Sequence, residues 1–350
     1  MNPIRGSGAM HALAADVGGT KTAVALAAAA GRWPGIVDEA VYPSQDYPSF
    51  ETVIAEFLAR PAVGPHTSTI GAACACVAGP VEGERARTTN LRWTIEASAV
   101  RERFAIPQVQ LINDFAAVGH GVGRLKAGDI RTLQQGRPVR HGARAVIGAG
   151  TGLGAALMTW QGGRYVVHES EAGHTDFAPV DELQDGLIGH LRERYGRVSY
   201  ERVLSGAGLE QIYAYLETRE TPSAALRVAL DGAPDRAAVV SEFGLNRRDA
   251  VAARALDVFA AVYGAFAGNI ALTVLARGGT YIAGGIAPKI VTKLQDGTLV
   301  RAFVSKGRFS ELLATIPLHV VLNARVGLYG ALELARRLAR RPARGTAGAR

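Results

Sequence analysis

Residues 14–25 read AADVGGTKTAVA. An apolar run ends in Asp16, two glycines and Thr20 follow, and after Lys21 the apolar pattern resumes. Read locally, this is a tight β-hairpin whose glycines supply positive φ angles and whose aspartate tolerates them. Read chemically, it is a phosphate and metal site, because glycine leaves its N–H open to anionic oxygens with no Cβ in the way. One copy does not separate the two readings. Residues 144–158, RAVIGAGTGLGAALM, repeat the pattern: apolar strand, glycine turn with Thr151, apolar strand, 131 residues after Thr20. A second glycine hairpin opening a second half predicts two related α/β lobes, each starting with β-strands and continuing into βα units. A third glycine element, YIAGGIAPKI (281–290), joins a strand to a helix expected to carry Pro288 in its first turn.

Other glycine loops fail on spacing. A P-loop needs G-x-x-x-x-G-K-[ST], whereas Lys21 follows Thr20 and no Gly-Lys pair meets that spacing. A dinucleotide fingerprint opens a helix, but the glycines at 148, 150, 152 and 154 alternate and lead into another strand.

The chain has 350 residues, which at roughly 150 per domain suggests two domains. Its 42 glycines exceed the typical share of about 7% and cluster at turns. The net charge of +8 is unevenly placed: six arginines follow Ala335, and without them 33 basic residues face 31 acidic ones. The body therefore gives little electrostatic reason to bind nucleic acid. The end of the chain reads as a helix followed by a basic flexible tail at 341–350, with a flexible leader at 1–11. Cys74 and Cys76 alternate on an apolar run and read as buried thiols of a reducing compartment, neither a zinc knuckle nor a redox pair. No secretory signal is read, since Asp16 and Lys21 interrupt the N-terminal apolar stretches. Residues 258–276 carry no charge for 19 positions, yet alanine dominates, Asn269 sits inside, and a charged helix start leads in; a buried core helix is expected rather than a membrane span.

Between these landmarks, periodicity predicts a hairpin at 12–27, a helix at 49–59 capped by Ser49, and a buried strand at 69–81 ended by Gly79-Pro80. A helix at 95–105 and a strand at 108–114 follow, and the glycine-rich residues 119–125 read as a hinge.

Taken together, DVGGT (16–20), IND (112–114), GAGTGLG (148–154), EAGHTDFAP (171–179), ERVLSG (201–206) and IAGGI (282–286) resemble, in order and approximate spacing, the bacterial-type ATP-dependent glucokinases. That family lies within the hexokinase, actin and Hsp70-like superfamily, and the resemblance covers residues 12–338. It implies a two-lobed actin-like ATPase (ribonuclease H-like) α/β fold with a ligand cleft between lobes: a small lobe of 12–124 plus about 327–340 and a large lobe of 125–326. It implies ATP and Mg²⁺ as cofactors, D-glucose as acceptor, closure on glucose, a cytoplasmic location and a homodimer. By position, Asn113, Asp114, Glu171, His174 and Glu201 match the sugar-contacting residues, with Asp114 as catalytic base. Asp16, Gly18, Gly19 and Thr20 match the first phosphate motif, Asp16 orienting magnesium through water. Gly150, Thr151 and Gly152 match the second phosphate motif, and Gly284 and Gly285 the adenosine motif.

The chemistry agrees with this distribution. Phosphorylating an alcohol requires an aligned hydroxyl, a base for its proton, and positive charge or N–H donors on the phosphoryl oxygens. Carboxylates, an amide and an imidazole suit a ring of sugar hydroxyls. Read alone, Asp114 is equally an N-cap for the helix after it, Glu201 a residue on a helix face, and Trp93 of TNLRW, with Asn90, a packing residue. Glu171 and His174 as a metal pair are disfavoured by Gly173, which breaks a helical spacing. Lys21 resembles the GGTK of the repressor–kinase (ROK) sugar kinases, whose cysteine-rich zinc motif is missing, and EAGH replaces the commoner EGGH. Alternatives are a kinase for another hexose or an N-acetylhexosamine, and a sugar-sensing regulator, which would need a DNA-binding domain that the residues before Asp16 are too few to form. A third is an ATP-binding scaffold without catalysis.

Overall fold

The computed structural model describes residues 10–88 and 91–340. Asn90, most of the expected leader and the expected tail at 341–350 lie outside the described residues. The chain opens with β1 (His11–Val17), β2 (Lys21–Ala28), β3 (Ile36–Pro43), α1 (Phe50–Leu58), β4 (Ile70–Val77), β5 (Val81–Glu82), β6 (Arg85–Arg87), β7 (Thr94–Glu96), α2 (Ala97–Phe104), β8 (Gln108–Asn113) and α3 (Asp114–Val122). Next come β9 (Ile130–Gln134), β10 (Arg144–Ala149), β11 (Leu153–Gln161), β12 (Arg164–Ser170), α4 (Glu182–Tyr195), α5 (Gly206–Glu217), α6 (Ala224–Leu230), α7 (Arg236–Leu245) and α8 (Ala250–Val274). The last are β13 (Gly279–Ala283), α9 (Val291–Leu294), α10 (Thr298–Val304), α11 (Ser310–Thr315), β14 (Leu318–Val321) and α12 (Val326–Ala339). Packing divides them into a first unit, which runs to Leu125 and resumes at Arg325, and a second unit, Lys126–Ala324.

In the first unit the sheet order is β3-β2-β1-β4-β8, with β1, β2 and β3 antiparallel and β1, β4 and β8 parallel. His11, assigned to the leader by sequence, is instead a buried strand residue paired with Ala28. The two faces of this sheet differ in side-chain size. Leu13, Val17, Val24 and Leu26 meet Phe50, Ile54 and Phe57 of α1 on one face, with Trp93 in the same core. On the other, Ala12, Ala14, Ala25, Ala27, Cys74 and Cys76 meet Leu328, Ala331, Leu332 and Ala335 of α12. Small residues at alternate positions let α12 lie close on the sheet.

Residues 119–122 of the glycine-rich segment expected to hinge belong to α3, and Gly121 serves contact. A Cβ on Gly121 would stand 2.1 Å from the Val326 carbonyl oxygen, and one on Gly330 would stand 1.7 Å from that of Ala117. The arginines after Ala335 are also put to use within the described residues. Buried Arg336 donates to the carbonyls of Ala29, Gly31 and Pro34, Arg340 donates to Ala29, and Arg337 and Arg124 both bond Glu333. The helix expected from Ile95 starts at Ala97, because Thr94–Glu96 pair with β6.

The second unit repeats the strand order, β12-β11-β10-β13-β14, with β9 added antiparallel at the edge. Again the first three strands are antiparallel and the next two parallel to the central one. Its core helix is α8, long and apolar enough by composition to cross a membrane, yet 78% of its most apolar window is buried here. Gly264 and Gly268, one turn apart, let α10 approach so closely that a Cβ would stand 2.1 Å from the Leu299 carbonyl oxygen and 2.6 Å from that of Phe303. After β13, residues 284–290 form turns, and α9 starts only at Val291, so Pro288 precedes the helix expected to contain it.

Two outcomes are expected. Gly330→Ala must push α12 from α3 and should cost about 3 kcal/mol or more, read from urea midpoints at unchanged m-value. Burial alone would raise the Glu333 carboxyl, but Arg124 and Arg337 outweigh it and hold it below its ordinary value of 4.5. This stabilisation is complete above pH 4.5 and is lost as pH falls through the lower folded value. With both arginines partly exposed, Glu333→Gln should cost about 1–2 kcal/mol at pH 7, and its gap from wild type should shrink steadily below pH 4.5.

Candidate active site

In the first unit, the parallel pairing aligns Asp16 with Cys76 and Val77 with Asn113, so the C-terminal ends of β1, β4 and β8 present their polar residues together. Such strand ends are where α/β sheets place ligands. Asp16 is half-buried. Burial raises its carboxyl above the ordinary aspartate value, and the Cys76 thiol hydrogen bond and the Lys21 charge offset this in part. Lys21, unassigned by sequence, thus acts electrostatically on Asp16. Burial pushes the Cys76 thiol well up, with the Asp16 charge adding to it, so it remains an S–H donor. Gly327, in the first turn of α12, lies against the carboxylate: a Cβ there would stand 2.9 Å from Asp16 Oδ2. That places the positive end of a helix beside a half-buried acid, a favourable arrangement.

The turn between β1 and β2 closes through Gly18 N–H to the Lys21 carbonyl at 3.0 Å. Gly18 takes no left-handed φ; it is favoured by space, since a Cβ would crowd the Lys21 carbonyl at 3.1 Å. Gly19 is half-buried and Thr20 exposed beyond it. Ser44, which nothing in the sequence singles out, holds this turn. Its Oγ donates to the Gly18 carbonyl at 2.8 Å and meets Thr22 Oγ1 at 2.9 Å, and its N–H donates to the Thr20 carbonyl at 3.0 Å.

Asp114 is the first residue of α3 rather than the last of the strand, and the N-cap is Asn113. Asn113 Oδ1 accepts from the N–H of Phe115 at 2.8 Å and of Ala116 at 3.4 Å, while Nδ2 donates to the Gly79 carbonyl at 3.5 Å. One oxygen of Asp114 accepts from Phe115 N–H at 2.8 Å, and the residue is half-buried. Trp93 is a packing residue whose Nε1 donates to the Tyr47 carbonyl at 3.2 Å.

The second unit brings Gly150, Thr151, Gly152, Glu171, His174, Glu201, Gly284 and Gly285 to the end of β10. Gly150 N–H donates to the Gly152 carbonyl at 2.8 Å, and the Gly150 carbonyl accepts from Gly206, the first residue of α5, at 2.9 Å. Thr151 is exposed at the tip. Glu201 Oε2 accepts from Leu153 N–H at 2.9 Å and lies where a Gly152 Cβ would come within 2.6 Å of it. Its Oε1 is 4.0 Å from His174 Nδ1, and His174 Nε2 is 3.8 Å from Glu171 Oε2. Gly173 allows this approach, since a Cβ would stand 2.0 Å from the Leu153 carbonyl oxygen. Asp176 is paired with Arg197 at 2.6 Å. Gly284 takes φ +82° and lies on the Ala149 carbonyl, with a Cβ position only 2.5 Å away; Gly285 N is 3.9 Å from a Gly150 Cβ position. Tyr263, invisible as a site residue in the sequence, ties the ends of β10 and β13: its Oη accepts from Ala149 N–H at 2.9 Å and donates to the Ala283 carbonyl at 3.3 Å.

No group of three or more His, Cys, Asp or Glu able to cage a metal occurs among the described residues. One half-buried carboxylate at a phosphate-type turn fits Mg²⁺, which keeps several waters and takes one or two protein carboxylates.

Comparison with known proteins gives the family. The Glucokinase family model matches residues 13–338. Glucokinase of Synechocystis is 41% identical over 347 residues, covering 93% of this chain and 98% of its own. A crystal structure of glucokinase from an Antarctic psychrotroph superposes with a TM-score of 0.80 at 29% identity, covering 93% of this chain and 99% of that one. A ROK family glucokinase from Streptomyces griseus, in complex with glucose and AMPPNP, shares the fold at a TM-score of 0.60 and 21% identity, covering 94% and 100%. The fold class is that of the actin-like α/β sugar kinases, and the chain belongs to the glucokinase family.

Proposed function

We propose that this chain transfers the γ-phosphoryl group of ATP to the 6-hydroxyl of D-glucose, giving glucose 6-phosphate and ADP. The observation that carries this is the gathering of Glu171, His174 and Glu201 around the glycine turn 150–152. Their separations of 3.8 and 4.0 Å are too long for direct hydrogen bonds and leave room for sugar hydroxyls to bridge them. A sugar lacking a hydroxyl would leave these groups unpaired, which is the physical source of selectivity.

Asp114 is the general base. Its Oδ1 is held by the α3 backbone, which fixes the carboxylate, and it takes the proton of the attacking hydroxyl. Asn113 caps the same helix and offers its amide N–H to the sugar. The N–H groups of Gly19 and Thr20 and of Thr151 and Gly152 serve the phosphates, the N–H groups of Gly18 and Gly150 closing the two turns, and Gly284 and Gly285 serve the adenosine. Asp16 would hold Mg²⁺ through its water, the ion neutralising charge on the phosphoryl oxygens when bound. Family resemblance supports a homodimer and a cytoplasmic location, and the near-neutral body gives no reason to invoke nucleic acid. A kinase for another hexose is the alternative, decided by a hexose and donor panel in a coupled assay.

Asp114→Ala should lower kcat by about 10²–10⁴-fold with ATP affinity within about threefold; glucose 6-phosphate formation by wild type no faster than by this variant would sink the assignment. His174→Ala and Glu171→Gln should each raise the glucose KM about 10–100-fold with smaller effects on the ATP KM, read from initial rates.

A further inference from the structure

Asn269 is an amide inside the apolar core helix α8, a position that costs free energy unless both of its groups are paired. Both are. Lys306 Nζ donates to Asn269 Oδ1 at 2.7 Å, and Asn269 Nδ2 donates to Tyr200 Oη at 2.9 Å. Lys306 also donates to the Ala265 carbonyl at 2.9 Å, one turn earlier on α8. A lysine carries only donors, so the amide oxygen must face it and the NH₂ must face the phenol. The network has one orientation.

Lys306 is half-buried, and that burial pulls its ammonium below the ordinary lysine value. An apolar side chain would fill the same space without the desolvation cost, so packing alone does not account for the cation. At the other end, Tyr200 is buried, with its ring on Phe266 at 4.6 Å and Phe177 at 5.7 Å. The next residue is Glu201, within the same 3₁₀ turn, its carbonyl accepting from Ser205 Oγ at 2.8 Å. A continuous line therefore runs from Lys306 through α8 to Tyr200, across one peptide to Glu201, and from its carboxylate to the N–H of Leu153 beside the glycine turn.

We propose that Lys306, Asn269 and Tyr200 are positioning residues that hold Glu201 with one carboxylate oxygen bracing the 150–152 turn and the other directed to the acceptor sugar. This rests on the assignment of Glu201 to glucose and of the turn to phosphate. A displacement of the carboxylate loosens both at once, because the two oxygens belong to one rigid group.

The test uses the full chain and the variants Lys306→Met, Lys306→Arg, Asn269→Leu, Tyr200→Phe and the Asn269→Leu/Tyr200→Phe double. Initial rates give kcat and the glucose KM, calorimetry gives AMPPNP affinity without sugar, and thermal melts are recorded in parallel. Lys306→Met, Asn269→Leu and Tyr200→Phe should each raise the glucose KM about tenfold and weaken AMPPNP about fivefold, with kcat changed less. Lys306→Arg should restore most of the loss, and the double variant should be no worse than its worse parent. Tyr200→Phe removes a single oxygen and keeps the comparison available should a harsher variant fail to fold. Wild-type-like KM and AMPPNP affinity in Tyr200→Phe, additive losses in the double, or losses that track melting temperature without rescue by Lys306→Arg would overturn the proposal. Wild type that binds AMPPNP but leaves glucose untouched would instead overturn the acceptor assignment, and the AMPPNP measurements would still decide the strut.

Discussion

At a few helix and turn positions where this protein omits a β-carbon, backbone touches backbone, and the rest of the architecture depends on those contacts. Gly330 sits on the carbonyl of Ala117, Gly121 on that of Val326, Gly264 on that of Leu299, and Gly284 on that of Ala149. Packing at this range is set by the main chain, which has few soft degrees of freedom, and not by long side chains with many rotamers. In the first unit it joins α3, which starts at Asp114, to α12, whose first turn lies on Asp16. The residues proposed to carry the chemistry are therefore mounted on elements that cannot slide without a clash.

Glycine also brings a weakness, because a turn built from it is entropically loose. Each unit answers this with a polar side chain from elsewhere in the chain. Ser44 holds the first turn through the carbonyl of Gly18 and the N–H of its own peptide, while Glu201 holds the second through the N–H of Leu153. The two braces differ in charge, and the difference is chemical: the first turn already carries a carboxylate in Asp16, whereas the second gains its carboxylate from Glu201. Around Asp16, burial raises the carboxyl, and Cys76 and Lys21 work against it. A carboxylate held in that balance gains from a nearby cation, which is the property the magnesium-orienting role proposed for Asp16 needs.

Much of this was legible from the chain. The doubled glycine hairpin foretold a doubled strand order, the alternation of small residues in IGAACACV foretold a buried strand, and Asn269 inside an apolar run argued against a membrane span. Two readings went astray for the same reason. Pro288 looked like a helix start, yet the chain spends seven residues in turns before α9. Asp114 looked like a strand end or an N-cap, and the cap proved to be Asn113. Local signals state what a residue permits; its neighbours in space decide which permission is used.

The sequence by itself determined the α/β class, the two glycine hairpins, and which polar residues stand at strand ends, because these follow from periodicity and from glycine's missing side chain. Tertiary structure alone decided that Ser44 and Glu201 brace the turns, that Cys76 and Lys21 tune Asp16, and that Lys306, Asn269 and Tyr200 form one line. Those pairings join positions 22 to 69 residues apart or lie across neighbouring strands. No local pattern encodes them, since a hydrogen bond between distant residues depends on the fold that brings the two together.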